Sequence, residues 1–157
     1  MAGKKAGARN HPCIEEISHS KVKVHDAGTG MSAILLNAKK ERVRRIRMDG
    51  CLAPAGERAA DFLVSLPRTV DVIVELKGGD VAHAITQIES TRIFWRAHSE
   101  YVQRQPISGW IVCTEYPRAS LKIGRYRESF RAHGGVLLIS TRNGEERAFS
   151  EFVSKHP

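Results

Sequence analysis

Glu75 and Lys77 stand two residues apart at the end of the apolar run Val70-Asp71-Val72-Ile73-Val74. In an extended strand, residues two apart share a face. An acid and an ammonium therefore project together where burial makes both costly. The link Pro67-Arg68-Thr69 is short enough to fold the preceding segment, Asp61 to Leu66, back as an antiparallel neighbour. That hairpin sets Asp61 opposite Glu75 or next to it. Two carboxylates that close can hold Mg²⁺ (or Mn²⁺), a hard cation that takes oxygen ligands and keeps several waters. A cation so held activates water and neutralises a scissile phosphate, while Lys77 stabilises the negative charge that develops. The expected chemistry is metal-dependent phosphodiester hydrolysis, with Asp61 and Glu75 as ligands and Lys77 as catalytic partner. Taken alone, Glu-x-Lys at a strand end also fits a surface salt bridge.

The elements that must position these residues are legible from periodicity. Lys21 to His25 alternates as a strand, Asp26 to Gly30 is a turn, and Ala33 to Leu36 reads as a second strand. Ile14 to Ile17 starts a short helix or enters the fold as a loop. Arg42 to Met48 is basic and β-compatible, and Asp49-Gly50 breaks it. Val70 to Leu76 is β-branched and apolar enough for a strand covered on both faces. Gly78-Gly79 ends it, and Asp80 caps a helix from about Val81 to Ser99 whose stripe is Val81, Ala84, Ile85, Ile88 and Trp95. Gly109 to Thr114 is a further buried strand, set parallel by the crossover helix. Ser120 to His133 is a second helix, Gly134-Gly135 its C-cap, and Val136 to Ser140 a strand. Asn143-Gly144 signals a hairpin into Glu146 to Phe149. The expected fold class is α/β (α+β) with a mixed central β-sheet flanked by helices. Residues 1–12 are expected to be a flexible basic tail and 13–157 a single domain.

Asp61, Glu75-Leu76-Lys77, the Gly78-Gly79 break and the helix carrying Gln87 resemble the PD-(D/E)xK nuclease superfamily, which includes restriction endonucleases and Holliday-junction resolvases. The proline that precedes the family's first acid is absent, since Ala59-Ala60 stands there. The resemblance covers roughly residues 45 to 115. It implies a restriction-endonuclease-like three-layer core, a DNA endonuclease activity, a supporting catalytic role for Gln87, and an additional acid supplied by Glu15 or Glu16. A symmetric homodimer would suit an enzyme that cuts both strands of a duplex, with the segment between Trp95 and Trp110 as its candidate surface.

The formal net charge of this 157-residue chain is +8, which predisposes a small domain to polyanions. Arg42, Arg44, Arg45 and Arg47 are expected to contact phosphate, and their alternative role is to protect an edge strand from pairing. Arg92, Arg96 and His83 extend the same surface. Asp49 is a possible further ligand, although Asp-Gly turn formation explains it more simply. The histidines lack metal-ligand spacing, and no Cys-x-x-Cys pair supports a zinc ribbon. The odd count of three cysteines argues against a disulfide scaffold and for a reducing, intracellular (cytoplasmic) setting. Cys51 and Cys113 read as small core residues. No window approaches a membrane span. Neither Gly28-Thr29-Gly30 nor Gly78-Gly79 forms a nucleotide loop. The alternative to an enzyme is a catalytically inactive nucleic-acid-binding or protein-interaction domain with a nuclease-like fold.

Overall fold

A computed structural model describes residues 11–77, 79–98, 104–115 and 123–155. The N-terminal tail expected at 1–12 lies almost wholly outside these residues, as do Gly78 and part of the dimer segment proposed between Trp95 and Trp110. Among the described residues the elements run β1 (Ile14–Ile17), β2 (Lys21–His25), β3 (Ser32–Leu36), β4 (Val43–Arg47), β5 (Phe62–Leu66), β6 (Val70–Leu76), α1 (Val81–Ala97), β7 (Ile107–Val112), α2 (Ile123–Ala132), β8 (Leu137–Ser140) and β9 (Glu145–Ala148). They form a mixed α/β architecture with two sheets, ordered β1-β4-β5-β6-β7-β8 and β2-β3-β9.

The larger sheet is antiparallel through β6 and parallel from β6 to β8. The three-residue link after β5 forces an antiparallel neighbour, whereas the α1 crossover returns the chain parallel. Alternation along β6 gives each face its own core. Ile73 packs with Ile46, Leu63, Ile88 and Trp95 beneath the helices. Val72 and Val74 pack with Val22, Leu35 and Phe152 beneath the smaller sheet. Every residue of β6 is buried, the acids Asp71 and Glu75 along with its five apolar residues, because the strand is covered on both faces. Asp80 caps α1 by accepting a hydrogen bond from the His83 N–H at 3.0 Å.

Three expectations are corrected. Ile14 to Ile17 is neither helix nor loop; it pairs antiparallel with β4, Glu15 opposite Arg45 and Glu16 opposite Arg44. The Asn143-Gly144 turn does not make a hairpin. Gly144 takes the left-handed conformation expected of it (φ 74°), but its N–H bonds to the Ser32 carbonyl, and Asn143 Oδ1 accepts from the Ser32 N–H. The turn thereby anchors β9 beside β3, in the second sheet, with which it pairs in parallel. Cys51 is no isolated core residue, since it forms a disulfide with Cys13 that fastens the entry to β1 onto the turn after β4.

Candidate nucleic-acid interface and the neighbouring acid pair

The register Phe62 opposite Val74 places Asp61 across from Glu75, as the hairpin reading expects. Asp61 Oδ2 accepts the Leu76 N–H at 2.9 Å. Glu75 is only 3 % exposed. Burial first, then the charge of Asp61, raises its carboxyl to about 9, with Lys77 opposing the rise. Burial also raises Asp61, and the charges of Asp26 and Asp49 add to that. At neutral pH Glu75 therefore keeps its proton, and its carboxyl hydrogen-bonds with that of Asp61. Helix α1 holds this corner from the other side. Gln87 Nε2 donates to the Ala59 carbonyl at 3.4 Å, and the Ala60 N–H bonds to Thr91 Oγ1 at 2.7 Å. Gln87 thus sits against the backbone that leads into Asp61, while Lys77 continues β6 through its N–H bond to Val112.

The expected Mg²⁺ or Mn²⁺ centre is not found among the described residues. Among the described residues no group of three or more His, Cys, Asp or Glu side chains could hold a metal ion. Mg²⁺ demands a near-octahedral oxygen set, and the hairpin brings together two carboxyl groups, of which Asp61 is already tied to the Leu76 N–H. The additional acids do not complete it. Glu15 is paired with Arg45 at 3.0 Å and Glu16 with Arg42 at 3.6 Å, on strand β1. Asp49 lies in the turn after β4. The expectations of a Mg²⁺-dependent nuclease, of endonuclease or other hydrolase activity and of metal binding through Asp61 and Glu75 are therefore corrected.

The basic residues divide into two groups. Arg92 is structural: it bonds Glu89 at 2.6 Å and Ser129 at 3.2 Å and lies 4.7 Å over the Phe130 ring. Arg44 shares a sheet face with Ile46 and adds its charge to that around buried Asp71. Arg96 is exposed on α1, and His83 is half-buried in its first turn. On the opposite face, Arg45 donates to the Lys23 carbonyl at 2.6 Å as well as to Glu15. That bond ties β4 to the smaller sheet and closes one end of a depression of about 360 Å³, lined by Glu15, Lys23, His25, Arg45, Arg47 and Phe62. Lys23, His25 and Phe62 were not singled out from sequence. The alternation of Lys21, Lys23 and His25 with buried Val22 and Val24 was the available signal, but nothing local shows that β2 passes beside β4.

A third polar cluster is architectural. Asp71, 1 % exposed, accepts from Trp95 Nε1 at 2.9 Å and Gln105 Nε2 at 2.8 Å. Burial raises its pKa while these partners lower it. Among the described residues no helix is long and apolar enough to cross a membrane. No protein-family model matches the chain, and neither the curated proteins nor the solved structures hold a match to it, so its own geometry carries the functional reading.

Proposed function

We propose that this chain is a non-catalytic nucleic-acid-binding domain whose phosphate-contacting surface is the groove between β2 and β4–β5. The observation that carries this reading is the convergence of Lys23, Arg45 and Arg47, with His25 beside them, on one depression that also exposes the Phe62 ring. Among the described residues lining it Glu15 is the single carboxylate, and it is paired with Arg45. The Arg45 guanidinium, bonded to the Lys23 carbonyl and Glu15, shapes the groove, while Lys23 and Arg47 present exposed charge. Such contacts position a phosphate backbone without reading its sequence, and a half-exposed aromatic ring offers a face for a base. The net charge of +8 strengthens attraction over longer range. The β5–β6 hairpin followed by α1 and parallel β7 supports kinship with the PD-(D/E)xK fold, retained here for binding, and that resemblance favours DNA as the ligand.

Fluorescence anisotropy of a short labelled DNA duplex, repeated across a salt series, tests the reading. Binding should weaken as salt rises. Lys23→Ala and Arg47→Ala should each weaken it several-fold and lower the salt slope by about one. Unchanged affinity and slope in both variants would refute the assignment of this groove.

A further inference from the structure

Among the described residues four strands end the two sheets: β1 and β8 in the larger, β2 and β9 in the smaller. Open edges invite pairing, and charged side chains discourage it. β1 carries Glu15 and Glu16, β2 carries Lys21, Lys23 and His25, and β9 carries Glu145, Glu146 and Arg147. β8, Leu137-Leu138-Ile139-Ser140, carries no charge. Its inner side is defined by bonds from Gly109 N–H to the Val136 carbonyl and from Cys113 N–H to the Ser140 carbonyl. By alternation, the backbone groups of Leu137 and Ile139 face the outer edge, where no strand pairs among the described residues.

The surroundings of this edge specify an occupant. A depression of about 550 Å³ lies on one side of the strand, with Val136, Leu138 and Val153 among its apolar walls and Arg131 and Lys155 on its rim. A second, of about 300 Å³, lies on the α2 side, where Arg127 and Arg131, one helical turn apart, overlook Val136 to Leu138. The acid at the site, Glu151, is held by Arg147 at 3.1 Å and by the Ala148 N–H at 2.8 Å. We propose that β8 is a docking edge for an extended acidic peptide segment of a partner protein, which adds a strand to the larger sheet. Backbone bonds to Leu137 and Ile139 would give affinity, and the recess at Leu138 and the exposed Arg131 would select apolar and acidic side chains in alternation. A second copy of this chain is the poorer occupant, because β8 against β8 would bring two basic rims together.

The test uses the full chain and a fluorescein-labelled octapeptide alternating glutamate and valine. Anisotropy should report saturable binding, and hydrogen exchange should slow at the Leu137 and Ile139 amides. Arg131→Glu, an exposed change, should weaken binding about tenfold or more. Ile139→Pro removes an outward-facing donor, a substitution that edge strands tolerate, and should abolish binding. A lysine–valine octapeptide should not bind. The proposal is overturned if the glutamate–valine peptide fails to bind, if the lysine peptide binds equally, or if Arg131→Glu leaves peptide affinity unchanged. It is also overturned if wild type sediments as a dimer that Ile139→Pro dissolves, since a second copy would then hold the edge. Loss of DNA binding alone in Arg131→Glu would assign the surface to nucleic acid instead.

Discussion

Glu75 shows how one buried proton makes stability depend on pH. Its folded pKa is raised from 4.5 to about 9, so between those values the folded chain binds more protons than the unfolded one and stability falls as pH rises. The contribution is fully present below the unfolded value and is lost as pH climbs through the folded one. Glu75→Gln preserves shape and a donor while removing the titration. Relative to the difference between the two proteins near pH 4, the variant should gain on wild type by about 4–5 kcal/mol at about pH 8, read from urea unfolding at both pH values. Asp71 sets the opposite case, a buried carboxyl whose partners need it. Asp71→Ala strips the acceptor from Trp95, which is 0 % exposed, and from Gln105. It should cost about 2–4 kcal/mol in the same assay. The pairing of Asp61 with Glu75 was readable from the length of the hairpin link. That Glu75 holds a proton instead of a cation was not, because desolvation depends on the helix and strands that close over it.

Among the elements, the passage from α2 into β8 depends on one backbone contact. A Cβ on Gly135 would collide with the Ile107 carbonyl on β7, an atom that cannot swing aside. Gly135→Ala should therefore destabilise by about 3 kcal/mol or more. At Gly109 a Cβ would meet Leu137 Cδ1 at 3.0 Å and Ile88 Cγ2 at 3.1 Å. Those are side-chain ends that can shift, so Gly109→Ala should cost less, and the order of the two melting temperatures checks the contrast. Sequence marked Gly134-Gly135 as a helix cap, and Gly134 indeed has φ 80°, but the second glycine serves packing. Asn143-Gly144 taught the same lesson: a turn signal is local, whereas the strand it feeds finds its partner more than a hundred residues away.

Among the described residues the fold is held by two cores on either face of one sheet and by the link between Cys13 and Cys51, 38 residues apart. Closing a loop of that length should contribute about 2–4 kcal/mol, visible as a lower urea midpoint under reductant. Thiol titration of the denatured, unreduced chain should find one reactive group, Cys113, the remaining one of the three cysteines. The sequence by itself determined the strands other than β1, the helices, the antiparallel β5–β6 pair and the parallel β7, because hydrophobic period and link length act over a few residues. It also placed Asp61 across from Glu75. Only tertiary structure decided that burial of this pair raises the Glu75 carboxyl, that Lys23, His25, Arg47 and Phe62 meet in one groove, and that, among the described residues, β8 is the sheet edge without charge. Each of these depends on desolvation or on strand order, quantities set by segments far apart in the chain, which no local pattern encodes.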